Sequence, residues 1–246
     1  MFTLQGRTAV MSGASGYEGA GAVRAMVEGG MNVAMLTHMP DQSRQVIDSL
    51  GEYSGRCIAL TNERGHAALF EAVAERFGTI DVVIPNQGAP IARQELADIA
   101  AEDMTEKLRH QITQSFALVQ AALPYLTKSK AGRVILVASS GARDGLAEEF
   151  LCDSVARGGV ISMTYSLARE LAPAGITVNC IAKGGMGSNR AQKPNEYDAA
   201  SFLNKIPMGR TGTPAEFGAA VAYLASEEAG FVTGQILNLC GGMYMG

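Results

Sequence analysis

The stretch that decides the fold of this 246-residue chain reads Met11-Ser12-Gly13-Ala14-Ser15-Gly16-Tyr17-Glu18-Gly19-Ala20-Gly21. It follows a short apolar run and precedes a segment of helical periodicity, so it predicts a strand, a glycine-rich turn and a helix. Glycines in such a turn let backbone N–H groups approach a pyrophosphate at the helix N-terminus. Tyr17 stands inside the turn, where bound phosphates would need bare backbone. The stretch therefore predicts a dinucleotide-binding fold with an altered ligand site.

Short apolar or β-branched runs alternate with stretches of helical period along the chain. The strand candidates are Thr8–Met11, Asn32–Leu36, Cys57–Leu60, Asp81–Ile84, Val134–Ala138, Ile176–Ile181 and Gln235–Leu239. The helix candidates lie at about 18–29, 41–50, 65–77, 103–127, 155–172 and 214–226. This alternation favours right-handed βαβ units and a buried parallel sheet. We expect an α/β fold: one Rossmann-like doubly wound sheet of about seven strands, with helices on both faces and residues 1–246 forming a single domain.

Composition and charge narrow the classes of partner. Hydrophobic residues make up 47% of the chain and the net charge is −4, so neither disorder nor binding to nucleic acid or an anionic membrane is expected. The N-terminus carries no signal-peptide pattern and no apolar run is long enough to span a bilayer, which favours a cytoplasmic protein. The four cysteines and three histidines are scattered, and no metal site is predicted. A small-molecule substrate is expected.

One segment breaks the alternating pattern. Residues Lys183–Lys205 are rich in Gly, Asn and Ser and include Pro194. Such a segment suits a mobile active-site loop, and an ordinary surface excursion remains an equal alternative.

The chain resembles the short-chain dehydrogenase/reductase superfamily over nearly its whole length. Besides the glycine-rich turn, the resemblance is carried by Pro85-Asn86-Gln87-Gly88, by Val178-Asn179-Cys180-Ile181-Ala182-Lys183-Gly184, by Gly209-Arg210-Thr211-Gly212-Thr213-Pro214-Ala215-Glu216 and by Phe231-Val232-Thr233-Gly234-Gln235. The same resemblance implies a homotetramer or homodimer formed through the helices at 103–127 and 155–172.

Several positions that hold the dinucleotide in that superfamily differ in this chain. The middle glycine of the turn falls on Tyr17, and Thr37-His38 stand where an acidic residue would bind the ribose. Ala59 and Cys240 likewise replace aspartates. If a dinucleotide binds, the residues implied to hold it are Gly13, Ser15, Gly19 and His38. The combined departures predict that no cofactor binds, with NAD(P) as the alternative.

The catalytic positions of the superfamily also carry over only in part. Its serine corresponds to Ser139 or Ser140, its tyrosine to Asp153, its lysine to Arg157 and its helix asparagine to Gln111. Arginine keeps the charge of lysine, but its planar guanidinium cannot be deprotonated.

At the positions where it departs from the superfamily's pattern, the chain resembles a subgroup, the haloalcohol dehalogenases. These enzymes lack the cofactor and form epoxides by displacing halide. The subgroup's turn spacing is matched by Ser12, Tyr17 and Gly19, and its catalytic spacing by Ser140, Asp153 and Arg157, with aspartate for tyrosine. The resemblance implies a substrate and leaving-group pocket whose residues are Tyr17, Asn86, Gly184, Gly185, Met186 and Ser188.

Asp153 limits which chemistry is expected. A carboxylate is a far weaker base towards an alcohol than a tyrosinate is. It suits abstraction of a proton from an acidified C–H, activation of water or direct attack on carbon, and a salt bridge at a helix start is the structural alternative. Ser140 would orient a substrate oxygen, and Arg157 would tune Asp153.

Three functions follow from these residues. The first is a cofactor-independent enzyme of the haloalcohol dehalogenase type, a lyase acting on a haloalcohol or an epoxide. The second is an atypical NAD(P)-dependent oxidoreductase, for which the sequence names no proton donor. The third is a catalytically inactive protein that keeps only the fold and its oligomer.

Overall fold

The structure is a computed structural model, and it describes residues 2–88, 94–145, 150–187 and 203–246. Seven strands are present in this part of the chain: β1 Thr8–Ser12, β2 Asn32–Leu36, β3 Cys57–Leu60, β4 Val82–Ile84, β5 Arg133–Ser139, β6 Thr177–Lys183 and β7 Ile236–Leu239. They form one sheet in the order β3-β2-β1-β4-β5-β6-β7, and every neighbouring pair is parallel. The predicted seven-stranded, doubly wound parallel sheet is confirmed.

The helices of the described chain are α1 Tyr17–Glu28, α2 Pro40–Ser49, α3 Gly65–Phe77, α4 Ala101–Leu108, α5 Gln114–Leu126, α6 Gly141–Asp144, α7 Leu151–Leu171 and α8 Pro214–Ala225. The helix predicted over 103–127 is confirmed as one helical run from Ala101 to Leu126. A π-helical turn, Arg109–Thr113, separates α4 from α5. The apolar period runs through both helices and gives no warning of the extra residue that this turn accommodates. In the described chain no helix is both long enough and apolar enough to cross a membrane.

Strand alternation divides the core between the two faces of the sheet. Ala9 and Met11 of β1 pack on one face with α1 and α8, while Val10 packs on the other with α3, α5 and α7. All three side chains are fully buried. A strand whose two faces are both covered must be apolar at every position, which is why β1 is a continuous hydrophobic run.

Helices α1 and α8 cross at a small-residue contact. A Cβ on Gly21 would come within 2.2 Å of the Pro214 carbonyl oxygen, and one on Gly218 within 2.5 Å of the Gly21 carbonyl oxygen. Helix α8 begins with a capping box in which Thr213 and Glu216 each accept a hydrogen bond from the other's backbone N–H. The contact and the cap fix α1, whose N-terminus faces the candidate site.

The order of the strands places the site. From β1 the strands β2 and β3 are added on one side of the sheet, and β4 to β7 are added on the other side, so the order in which strands are added reverses between β1 and β4. In open α/β sheets, ligands bind outside the carboxyl ends of the strands at such a switch point. The glycine-rich turn follows β1, and Asn86 follows β4 directly across this crevice.

Candidate active site

The glycine-rich turn is held against the segment that follows β4. Gly13 has a positive φ of 61°, and a Cβ there would lie 1.9 Å from the Asn86 carbonyl oxygen. Asn86 donates from its side chain to the Gly13 carbonyl at 3.3 Å and from its backbone N–H to Ser12 Oγ at 3.1 Å. A Cβ on Gly19 would come within 2.2 Å of the Gly13 carbonyl oxygen. Bare backbone at Gly13 and Gly19 is therefore a packing requirement of the turn.

The N-terminus of α1 opens onto the crevice. Gly16 occupies its N-cap position, and no side chain caps the first turn. Such N–H groups have no partner within the helix and favour an anion. Glu18 lies in this turn and forms an ion pair with Lys183 at the end of β6. Because Lys183 compensates the charge of Glu18, the helix end does not present an unpaired carboxylate to a phosphate.

Tyr17 is the first residue of α1 and is 46% exposed. Its hydroxyl reaches the segment after β6, since a Cβ on Gly187 would lie 3.4 Å from Tyr17 Oη. In that segment Gly184 N donates to the Leu239 carbonyl, and Met186 is buried and bridges to Gly212.

The structure thus brings Tyr17, Asn86 and residues 184–187 to the same edge of the sheet, with Gly185 accepting a hydrogen bond from Gly212 N. Ser188, predicted for the same pocket, lies outside the described residues, as does most of the predicted loop over 183–205.

The segment after β2 presents no acidic side chain. Thr37 is buried, and its Oγ1 accepts a hydrogen bond from Met39 N at 2.8 Å. His38 beside it is exposed, and Ser15 in the glycine-rich turn is partly buried. A carboxylate at the end of β2 would repel a 2′-phosphate, and none stands at position 37 or 38.

The two serines at the end of β5 have different surroundings. Ser139 Oγ accepts a hydrogen bond from Gly141 N at 3.2 Å, which makes it part of a local turn. Ser140 is 1% exposed, and its backbone N–H donates to the Lys183 carbonyl at 3.0 Å. Ser140 is thereby fixed beside the end of β6, next to the Glu18–Lys183 ion pair.

Asp153 lies in the first turn of α7 and is buried. Its Oδ2 accepts a hydrogen bond from Lys107 Nζ at 3.3 Å, in a pair whose side chains are only 8% and 14% exposed. Asp153 Oδ1 has no hydrogen-bond partner. Arg157, one helical turn further along α7, is also buried. The carboxylate predicted from the sequence is therefore enclosed and paired with a lysine of α4.

Gln111 sits inside the π-helical turn and is 1% exposed. Its Nε2 has no hydrogen-bond partner. Single π-helical turns occur frequently at functional sites. Neighbouring His110 has its pKa lowered below the ordinary value, first by burial and then by the charge of Arg109, so its imidazole is neutral at pH 7.

Burial makes two of the four cysteines poor nucleophiles. All four are free and buried. Burial raises the pKa of both Cys57 and Cys180 to about 12. Cys152, next to Asp153, is 6% exposed. Within the described ranges, no three His, Cys, Asp or Glu side chains come together as a metal site would require.

Sequence reasoning did not find two features of this site, the side chain of Lys107 and the Glu18–Lys183 ion pair. Lys107 lies four residues before Gln111, so helical spacing could have placed it on the same side of the helix as Gln111. The ion pair joins residues 165 positions apart and has no local sequence signal.

The fold and the site define an α/β protein of the Rossmann type, with a glycine-rich turn at the switch point of its sheet. The family model described as enoyl-(acyl carrier protein) reductase matches residues 18–244. The chain belongs to the short-chain dehydrogenase/reductase superfamily.

Similar proteins cover the whole chain. A 3-oxoacyl-[acyl-carrier-protein] reductase of Vibrio cholerae serotype O1 is 33% identical over 244 residues, covering 98% of this chain and 99% of the relative. A short-chain dehydrogenase/reductase structure from Brucella melitensis, titled a glucose/ribitol dehydrogenase, superposes with a TM-score of 0.86 at 25% identity and covers 100% and 99% of the two chains. A structure titled a dehalogenation enzyme gives a TM-score of 0.87 at 26% identity, covering 98% and 100%.

These relatives correct two predictions. The predicted cofactor-independent haloalcohol dehalogenase is wrong, because the relative that is 33% identical over 244 residues is a reductase and the matching family model is also described as a reductase. The prediction that no cofactor binds is wrong for the same reason. A reductase needs a hydride source, and the departures at Tyr17 and Asp153 leave the backbone of the glycine-rich turn intact.

Proposed function

We propose that this chain is an NADP-dependent oxidoreductase that interconverts a carbonyl group and an alcohol on a small molecule, with residues 1–246 acting as one domain in the cytoplasm. The uncapped N-terminus of α1 beyond the glycine-rich turn carries the proposal. It supplies N–H donors and a favourable dipole to a pyrophosphate, at the switch point where the fold binds ligands.

The residues of the crevice fit a dinucleotide. Gly13 and Gly19 keep the turn free of side chains, and Lys183 compensates the one carboxylate in the first turn of α1. Exposed His38 lies where it can contact a 2′-phosphate, with no neighbouring carboxylate at Thr37 to oppose it. Tyr17 is half exposed and its hydroxyl lies beside Gly187, so its ring is free to move without disrupting the core.

Each side chain has a proposed role once substrate is bound. A nicotinamide nucleotide held at the glycine-rich turn by Gly13, Gly19 and the N-terminus of α1 would supply or accept a hydride. Ser140, fixed at the end of β5, orients the substrate oxygen. Asp153 stands at the position that corresponds to the superfamily's tyrosine, with its charge balanced by Lys107. In the oxidising direction its carboxylate takes up the proton of the substrate hydroxyl, and in the reducing direction it returns that proton to the oxygen, while Arg157 supports it from the next turn of α7. Tyr17, Asn86 and residues 184–187 line the substrate pocket.

Dinucleotide binding is the direct test. We expect NADPH to bind with a Kd in the micromolar range, followed by fluorescence or calorimetry, and more tightly than NADH because no carboxylate opposes the 2′-phosphate. Acetoacetyl-N-acetylcysteamine is the first substrate to assay, given the name of the Vibrio relative. No saturable binding of either nucleotide at millimolar concentration would rule out the proposal.

The Glu18–Lys183 ion pair predicts a specific variant effect. Lys183→Met leaves the carboxylate uncompensated beside the bound phosphates, so NADPH affinity is expected to fall on the order of tenfold, as like charges repel in this partly enclosed site. In the double variant with Glu18→Gln the affinity should return to that of the wild type. A double variant as weak as the single one would show that the charge of Glu18 is not the cause.

Helices α5 and α7 carry exposed apolar side chains that support a homo-oligomer. Four large apolar side chains on them are more than 40% exposed: Phe116, Leu151, Val155 and Tyr165. Exposed apolar area on neighbouring elements is typical of a protein interface. We propose that two copies pair through this surface, as a dimer or within a tetramer.

Placing a charge in this surface is the expected disruption. Tyr165→Glu should convert the oligomer to monomers in sedimentation velocity. Closing the interface would bury an unpaired carboxylate at a high cost in free energy, and dissociation avoids that cost. Met208→Glu is the matched control, since Met208 is exposed outside these helices. A wild-type chain that sediments as a monomer would contradict the assembly.

A further inference from the structure

Arg143 is a cation at the edge of the candidate site to which the proposed function gives no role. It lies on α6, three residues after Ser140, and its backbone N–H donates to the Ser140 carbonyl at 2.9 Å. Residues three apart in a helical turn lie on the same side of it. The Arg143 side chain therefore leaves α6 on the side of Ser140, and it is partly buried.

Contacts with β7 and the residues after it fix the position of the guanidinium. Arg143 Nη1 donates to Asn238 Oδ1 at 3.2 Å, and the guanidinium carbon lies 4.5 Å from the centre of the Tyr244 ring. Tyr244 N donates in turn to Cys240 Sγ at 3.4 Å. Cys240 packs on the pocket, since a Cβ on Gly184 would come within 2.7 Å of it. A short chain of contacts thus joins the guanidinium to the pocket segment that begins with Gly184.

The charge of Arg143 has no carboxylate to balance it within the described ranges. The two lysines of the site each pair with a carboxylate, whereas no ion pair of the described residues includes Arg143. The guanidinium lies towards the face of the sheet that α7 covers. Burial raises the pKa of the Cys180 thiol on that face to about 12, and the charges of Arg157 and Arg143 are among the effects that oppose this rise.

The chemistry of a partly buried guanidinium selects the ligand. Its planar fork binds a carboxylate through two parallel N–H bonds, and partial burial strengthens that attraction. Asn238 accepts from Nη1 alone, which is one of several donors of the group. One guanidinium balances the single charge of a carboxylate, whereas a phosphate group carries a charge of about −2 and would stay partly unbalanced.

We propose that Arg143 binds a carboxylate group of the substrate, so that the chain acts on an oxo acid and the matching hydroxy acid rather than on a neutral ketone. This carboxylate contact rests on the proposed oxidoreductase function, whose substrate class it names. Side chains three apart in a helical turn have Cβ atoms about 5–6 Å from each other. A substrate with one or two carbons between its carbonyl and its carboxylate spans Ser140 and Arg143. Tyr244 is a positioning residue, because its ring fixes the plane of the guanidinium.

Matched pairs of acid and ester test the contact without turnover. Ligand-observed NMR titrations in the presence of NADP⁺, which cannot reduce a ketone, would give the Kd of acetoacetate, of levulinate and of their methyl esters. We expect at least one acid to bind about tenfold or more tightly than its ester, since the ester keeps the carbonyl and loses the charged hydrogen bonds. The ratio of the two affinities is the acid preference.

Three variants separate recognition of the acid from a purely structural role. Arg143→Met should abolish the acid preference, because the carboxylate loses its partner. Arg143→Lys should keep part of the preference, since lysine retains the charge without the planar fork. Tyr244→Leu should lower the preference several-fold, because the guanidinium loses the ring that orients it. Binding of the ester reports that each variant is folded.

Arg76→Met is the matched control. Arg76 also stacks on an aromatic ring, with its guanidinium carbon 5.0 Å from the centre of the Phe77 ring, but it lies in the last turn of α3. This variant should keep the full acid preference. Equal affinity of the wild type for acid and ester, no measurable binding of either, or a preference that survives Arg143→Met would overturn the carboxylate contact. The NADPH titration would still decide the proposed function, so the two failures are distinguishable.

Discussion

Replacing Asp81 by alanine is expected to lower the free energy of unfolding by about 3–5 kcal/mol. Asp81 immediately precedes β4, at the end of the sheet opposite the candidate site, and is 8% exposed. Its Oδ2 accepts a hydrogen bond from Thr8 N at 2.9 Å, and its Oδ1 accepts from the hydroxyls of Ser129 and Thr79. Removing the carboxylate leaves these donors without their acceptor.

The charge of Asp81 adds to the expected loss. Burial lowers the pKa of Arg7, and the nearby carboxylates of Asp81 and Glu227 oppose that change. Arg7 donates to the carbonyls of Ala225 and Ala131, so it cannot leave its buried position without breaking both bonds. Without Asp81 the guanidinium is less well compensated in the folded protein.

Urea denaturation measures this effect as a shift of the midpoint at constant slope. Asp48→Ala is the matched control, because Asp48 is exposed on α2, and its effect should stay within about 0.5 kcal/mol. The folded Asp81→Ala protein should bind NADPH as the wild type does, since the lesion lies at the other edge of the sheet. A midpoint shift no larger than that of the control would show that water replaces the carboxylate.

Gly13→Ala is expected to weaken NADPH binding by a factor on the order of 10 to 100. The φ of 61° at this residue costs alanine about 1–2 kcal/mol. The added Cβ would also lie 1.9 Å from the Asn86 carbonyl oxygen, so the turn must move away from β4. Because Gly13 and Gly19 pack against each other, this movement displaces the N–H groups at the start of α1.

Gly78→Ala separates backbone strain from damage to the site. Gly78 ends α3 with a φ of 80°, and a Cβ there would meet nothing within 4 Å. Gly78→Ala should lower the free energy of unfolding by about the 1–2 kcal/mol that a positive φ costs alanine, and it should leave NADPH affinity unchanged. If Gly13→Ala binds NADPH as tightly as Gly78→Ala does, the glycine-rich turn does not hold the pyrophosphate.

The seven strands and most helices could be predicted from the sequence because their signals are local. Each strand is a short apolar run, since both faces of a parallel sheet are covered, and predicted bounds such as Asn32–Leu36 agree with the structure. The helix predicted over 103–127 is present, but the π-helical turn inside it was not predicted. Whether the chain inserts a π-helical turn at Arg109–Thr113 depends on how that segment packs on α7 near Gly159, and apolar periodicity carries no such information.

The function was mispredicted because substitutions at single positions were given more weight than the length of the match. Tyr17 and Asp153 depart from the superfamily's pattern, and the sequence suggested that the cofactor had been lost with them. The structure leaves the backbone of the turn open and balances the charges of Glu18 and Asp153 with Lys183 and Lys107. A side chain's identity does not reveal whether its charge is compensated.

The sequence by itself determined the order of strands and helices and the glycine-rich turn after β1, because periodicity and glycine positions act within a few residues. Only the tertiary structure decided which charges meet. Glu18 and Lys183 pair because the carboxyl ends of parallel strands share one edge of the sheet, and Lys107 reaches Asp153 because α4 packs on α7. That packing also enclosed Asp153 Oδ1 and Gln111 Nε2, since burial is a property of the neighbours that surround an atom.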